Sequence, residues 1–220
     1  MPTISKENYL KTVFLYNNRA KGEMAGTTVI AKELNISKAA ISDMTRRLAE
    51  DGLLDYKKYK GMRLTEAGKV IALQVIRKHR LWESFLHKVL DMSWGEVHDE
   101  AERLEHNTSN YLIDKIDDYL GHPMYDPHGS PIPDSNGEMP AKRDLILLAN
   151  AKVGHNYQTA HVHDRNTQMM NYLSRIGLVL NSQIKILEKF DFDQSIHIEL
   201  KGQTYLLSKK ISNQIKVIQL

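Results

Sequence analysis

The 220-residue chain contains no cysteine, which excludes disulfides and thiolate metal sites and fits a reducing compartment. It has no uninterrupted apolar stretch of the length needed to span a bilayer. The opening Met1-Pro2-Thr3-Ile4-Ser5-Lys6-Glu7 lacks the apolar centre of a signal peptide, so a cytoplasmic location is expected. There is no internal repeat, no low-complexity segment, no nucleophile elbow and no phosphate loop. Neither sign of charge dominates: the net charge is only +3, so a nucleic-acid-binding surface must be local. What is present is ordinary for a folded protein, with 41% hydrophobic and 26% charged residues. The ten histidines are more informative, because several stand beside carboxylates at helical spacing.

Three domains are expected, at 1–65, 66–142 and 143–220, in a mainly α chain with a small β domain. The first alternates short helical patterns and ends in a basic hairpin. The second is continuously helical to about residue 120, with a break near 91–93. Turn formers in Gly121-His122-Pro123-Met124-Tyr125-Asp126-Pro127-His128-Gly129-Ser130-Pro131-Ile132-Pro133 then forbid regular structure and mark a linker. The last block has short β-type runs at 195–200, 204–207 and 215–218, and a short helix at 166–176 stopped by Gly177.

In the first block, Thr27 or Thr28 can cap a helix with Val29, Ile30 and Leu34 on its inner face. Asn35-Ile36 makes a tight turn, and Ser37 caps a second helix that buries Ile41, Met44 and Leu48. The opposite face carries Lys38, Ser42, Asp43, Thr45, Arg46 and Arg47, as a major-groove reader requires. Gly52 stops that helix. Residues 53–64 then read as two strands around a turn near Lys60-Gly61. Lys57, Lys58, Lys60 and Arg63 suit a wing along the phosphate backbone, and Ser37, Ala39, Ser42 and Asp43 are placed to meet base edges. The combination reads as a winged helix-turn-helix.

In the second block, Ser93-Trp94-Gly95-Glu96 has the form of a capping box, so a helix should begin there. Residues three and four apart share a helix face, which makes His98, Glu102, Glu105 and His106 one polar stripe while Val97, Ala101 and Leu104 pack inward. On the preceding helix, His79 and Glu83 are four apart, with His87 a turn further. Imidazoles and carboxylates without sulfur suit Mn²⁺, Fe²⁺, Co²⁺ or Zn²⁺, and the hard oxygens favour manganese and iron. The alternative is that these pairs are exposed ion pairs of little consequence.

These residues carry a family resemblance. The stretch from Glu7-Asn8-Tyr9-Leu10-Lys11-Thr12 through the winged helix, Arg77-Lys78-His79-Arg80-Leu81-Trp82-Glu83 and 98–106 resembles the diphtheria-toxin-repressor family of iron- and manganese-dependent regulators. Residues 127–133 look like that family's interdomain segment, and the last block is similar to its C-terminal small β-barrel, shared with ferrous-iron transport accessory proteins. The resemblance implies a helical dimerisation domain and a primary metal site from Asn8, Glu102, Glu105 and His106. It also implies an ancillary site from His79, Glu83 and His98, completed by His161 and Asp164. Glu102 stands where iron-type members carry Cys, which points to the manganese branch. Two positions depart from that branch. Asn8 replaces the usual Asp, and Lys11 stands where the shortest manganese regulators have a bridging Glu, which favours two separated sites over a close pair.

The expected function is that of a homodimeric, metal-dependent repressor of metal-uptake genes, binding palindromic operators when loaded with Mn²⁺ or Fe²⁺. Zn²⁺ or Co²⁺ would substitute in vitro, and no membrane or small-molecule substrate is expected. Two other readings stand at this point: a winged-helix regulator of an organic effector, and a metallohydrolase using His98, Glu102 and His106. The second lacks the two-His-with-adjacent-Glu pattern of a zinc-protease helix. Sequence does not separate repression from activation, which depends on operator position.

Overall fold

A computed structural model describes residues 6–20, 22–163 and 166–220. The chain forms two compact units. One comprises residues up to Lys78 with Pro133–Glu138; the other comprises His79–Ile132 with Met139–Leu220. The architecture is mainly helical, with β structure concentrated at the C-terminal end. No helix among the described residues is long and apolar enough to cross a membrane.

In the first unit, α1 (Lys6–Arg19) buries Tyr9, Leu10 and Val13 against Ile30 and Ala31 of α2 (Thr27–Leu34) and Ile41 and Leu48 of α3 (Lys38–Glu50). Between α2 and α3, Asn35 takes a left-handed conformation (φ 53°) that a short polar side chain tolerates, which makes the turn of a helix-turn-helix. Ser37 caps α3 by accepting from Ala40 N at 3.2 Å. The hairpin β1 (Leu54–Lys57) and β2 (Gly61–Leu64) follows directly and closes the core with Leu54, Met62 and Leu64.

Three local expectations need correction. Gly26, not a threonine, occupies the N-cap of α2, with no side-chain bond. Val29 is turned to solvent while Ala31 is buried. Thr45, expected on the outer face of α3, is buried. Its hydroxyl donates to Ile41 O at 2.7 Å and shares a hydrogen bond with the Tyr9 phenol, so both buried groups are partnered.

α4 (Glu66–Leu90) leaves the wing and runs 25 residues. In the second unit its C-terminal half packs Leu81 against Ile113 and Ile116 of α6 (Asn110–Leu120) and against Ile132. α5 (Val97–Glu105) begins three residues later than the capping box implies. Residues 94–96 form a turn instead, with Glu96 reaching back to accept from Ser93 N at 3.0 Å.

β3 (Ile146–Leu147), a 3₁₀ turn at Leu148–Asn150, β4 (Asn156–Val162), α7 (Thr167–Arg175), β5 (Gln183–Lys189), β6 (Ile196–Leu200), β7 (Gln203–Leu207), α8 (Lys209–Ser212) and β8 (Ile215–Gln219) complete the chain. The strands make one antiparallel sheet in the order β3-β8-β4-β5-β6-β7. Its core is built from alternate residues such as Ile184 and Ile186, Ile196, Ile198 and Leu200, and Ile215 and Val217. β3 and β7 are the sheet's two edges, and the described strands do not close into a barrel.

Candidate metal centre and nucleic-acid interface

One stripe of buried positions on α4 runs Ala72, Val75, Ile76, His79, Glu83 and Leu86, while Arg77, Leu81 and Ser84 are buried on a second face. Two ionisable groups therefore stand where the pattern calls for core. α5 repeats the arrangement, burying Val97, Ala101 and Glu105 at successive turns. A buried carboxylate costs several kcal/mol in lost hydration unless compensating groups surround it.

The surrounding groups are imidazoles. His79 Nε2, His98 Nδ1 and Glu83 Oε1 form a triangle with sides of 3.1, 3.2 and 3.2 Å. On its other side, His79 Nδ1 lies 2.6 Å from Glu105 Oε2, and Glu105 Oε1 lies 3.2 Å from His106 Nε2. Glu83 Oε2 points away from the triangle towards His128 Nδ1, at 3.8 Å. Burial alone raises the Glu83 carboxyl. The charge of His79 and the adjoining imidazoles of His128, His79 and His98 outweigh it and hold the group well below the usual carboxylate range.

Among the described residues, three sets of donor atoms converge within 4.8 Å: His79, Glu83 and His98; His79, Glu102 and Glu105; and Glu83, Asp126 and His128. Ligands about 2.1 Å from an ion stand roughly 3.0–3.5 Å apart at octahedral or tetrahedral angles. The triangle matches that spacing with one oxygen and two nitrogens. The residues thus fit a borderline or hard divalent cation, with no sulfur among the converging donors.

The structure brings together His79, Glu83 and His98, and brings Glu102 and Glu105 to His79. Members of both sets implied by the resemblance therefore meet at His79. His106 reaches Glu105 but joins none of the three groups. His87 is engaged elsewhere, its Nδ1 being 2.9 Å from Met92 O. Asn8 lies half-buried on α1 in the first unit, and Lys11 is buried on the same helix. His161 sits on β4 opposite Lys216 and enters none of the three groups. Asp164 lies outside the described residues.

Asp126 and His128 do not stand out in the sequence, because the turn formers of residues 121–133 read as a linker. The run has no helix or strand, but residues 126–129 are buried. Asp126 Oδ1 accepts from the backbone of His128 at 2.8 Å and of Ser130 at 2.9 Å, while Arg80 Nε stands 3.8 Å from Oδ2. Two ligand-type residues flanking a proline, in a turn closed by the aspartate itself, were the available signal.

On the face of α3 expected to read DNA, Ser37, Lys38, Ala39, Ser42, Arg46 and Arg47 are exposed. Asp43 is half-buried and held by both arginines, at 2.9 Å from Arg46 and 2.8 Å from Arg47. That pairing orients the guanidinium groups along α3. On the hairpin, Lys57, Lys58, Lys60 and Arg63 are all exposed, and Tyr59 at the tip is 93% exposed with Lys58 Nζ 5.2 Å above its ring. A large aromatic left in water beside three lysines suits contact with a phosphodiester backbone.

Comparison with known proteins matches residues 1–62 to the iron dependent repressor N-terminal DNA binding domain. Residues 65–134 match the iron dependent repressor metal binding and dimerisation domain, and residues 146–219 the FeoA domain. The iron-dependent repressor IdeR of Mycobacterium tuberculosis is 37% identical over 58% of this chain, an alignment spanning 54% of that relative. IdeR of Mycobacterium leprae is 30% identical over 82% of both chains. A solved manganese-dependent transcriptional repressor in complex with manganese superposes with a TM-score of 0.88 and 34% identity, covering 98% of this chain and 100% of the other.

Proposed function

The chain belongs to the iron-dependent repressor family, and from that premise we propose that it is a cytoplasmic, metal-activated repressor acting by binding rather than catalysis. One observation carries the metal part: His79, Glu83 and Glu105 occupy the buried stripes of α4 and α5, where only a compensated charge is tolerable. Mn²⁺ is the favoured ion and Fe²⁺ the second, because the donors are oxygens and imidazole nitrogens without sulfur. The similar solved repressor bound to manganese supports that order. A bound cation would supply the positive charge that holds these donors in one arrangement.

His79, Glu83 and His98 would make one site, which Asp126 and His128 extend through the second oxygen of Glu83. Glu102, Glu105 and His106 would make the other, with the Asn8 amide oxygen as the proposed contribution of the DNA-binding unit. An amide brings no charge, which weakens affinity relative to a carboxylate. Metal activates only if it binds the DNA-competent arrangement more tightly, and DNA must then raise metal affinity by the same factor. Two recognition helices in a homodimer would read two half-sites of a palindrome. The targets proposed are metal-uptake genes.

The test is capture of genomic fragments by metal-stripped protein with Mn²⁺, with anaerobic Fe²⁺, or with chelator. Enrichment of one palindrome only with metal, lost in the Glu102→Ala, His106→Ala double variant, is expected. Equal enrichment in chelator would leave a DNA-binding protein without metal control.

A further inference from the structure

Trp94 lies in the turn between α4 and α5, yet it belongs to the hydrophobic core of the C-terminal β domain and is 4% exposed. Its surroundings join that core to the metal centre. The indole Nε1–H donates to Pro127 O at 2.9 Å. Its ring stacks on the His128 imidazole, with centroids 5.3 Å apart and planes inclined at 29°. Its own carbonyl oxygen is 3.0 Å from His128 Nε2. A carbonyl can only accept, so Nε2 carries the proton, and Nδ1 is the nitrogen presented to Glu83.

We propose that Trp94 is the positioning residue of His128, fixing both the plane of its ring and the nitrogen that meets Glu83. This rests on the metal reading of the Glu83, Asp126 and His128 group. Partners that orient a ligating imidazole through its other nitrogen commonly change metal affinity 10–100-fold, roughly, when removed. Here the orienting partner is held by another domain's core. α7 approaches the same turn closely: a Cβ on Gly95 would stand 3.2 Å from the Thr167 methyl group. Folding of the β domain thereby sets the geometry of a metal ligand that no strand carries.

The test uses the full chain at one fixed pH, with Trp94→Phe, Trp94→Ala and, as a control, Leu200→Ala, which thins the same core from β6. Nitrogen-15 NMR of the metal-free proteins reads the His128 tautomer, assigned with His128→Gln, and calorimetry reads Mn²⁺ binding. The wild type is expected to hold the Nε2–H form. Trp94→Ala should mix the tautomers and weaken one Mn²⁺ binding event by about tenfold or more. Both Trp94 variants keep the backbone carbonyl, so the difference between them reads the ring: Trp94→Phe, which retains a stacking ring but not the bond to Pro127 O, should lie between, and Leu200→Ala should change neither readout.

An Nδ1–H wild type would overturn the proposal. So would wild-type tautomer and affinity in both Trp94 variants, or equal losses in Leu200→Ala. Glu83→Gln separates the two ideas. If it leaves every Mn²⁺ event at wild-type strength, the metal reading fails, and the tautomer alone decides whether Trp94 positions the ring.

Discussion

Replacing Gly129 by alanine tests whether the buried turn at 126–130 is built as described. Gly129 has φ +88°, and a Cβ there would run into Ala160 O while standing 2.9 Å from both the Ala160 carbonyl carbon and His161 Cα. All of these are backbone atoms of β4, tied down by the bond from Val162 N to His128 O at 2.8 Å. Arg143 adds two bonds of 2.8 Å, to Gly129 O and Ala160 O. The backbone conformation costs an L-residue roughly 1–2 kcal/mol, and forcing apart packed backbone costs about 1–3 kcal/mol more. The expected loss is therefore about 2–5 kcal/mol, a fall of roughly 6–15 °C in the melting of the second unit. Gly154→Ala is the control, since its φ is +84° but nothing lies within 4 Å, so it should show the conformational part alone. The assay is thermal and urea unfolding of metal-free protein, repeated with saturating Mn²⁺. Because the turn carries Asp126 and His128, Gly129→Ala should also lose part of the stabilisation that metal adds. A Gly129→Ala protein within about 0.5 kcal/mol of Gly154→Ala would refute the close approach of turn and strand.

Three further outcomes are expected. Burial pushes the Tyr9 phenol up to about 12 despite its bond to Thr45, so the folded state favours the neutral form. The stability that comes with it is full below pH 10 and is lost as pH rises from 10 to 12, by about 2–3 kcal/mol; denaturation midpoints of wild type and Tyr9→Phe should converge over that range, and parallel curves would contradict it. Ser37→Ala, which removes the bond to Ala40 N, should destabilise the DNA-binding unit by about 1 kcal/mol and fray the start of α3 in hydrogen exchange. Replacing Lys57, Lys58 and Lys60 together by alanine should flatten the slope of log K against log salt by up to about 2.7, or about 0.9 per phosphate contact, measured by anisotropy on operator DNA; an unchanged slope would remove the wing from the backbone contacts.

The readable features were those whose cause is local. Helical spacing and the Ser37 cap mark α3, Gly61 and its lysines mark the hairpin, and His79, Glu83, His98, Glu102 and Glu105 stand out because helix geometry alone aligns them. Burial was less readable. Thr45 looks like a surface residue until Tyr9, 36 positions away, meets its hydroxyl. Val29 and Ala31 exchange roles because α1 covers one side of α2. What the tertiary structure alone decided is the convergence. His79 serves two groups, Asp126 and His128 join Glu83 from a run of turn formers, and Trp94 leaves its helical neighbours for a β-domain core. Periodicity is a property of adjacent residues, whereas a shared cluster depends on which distant faces pack together, and that is settled by long-range burial that no local pattern encodes.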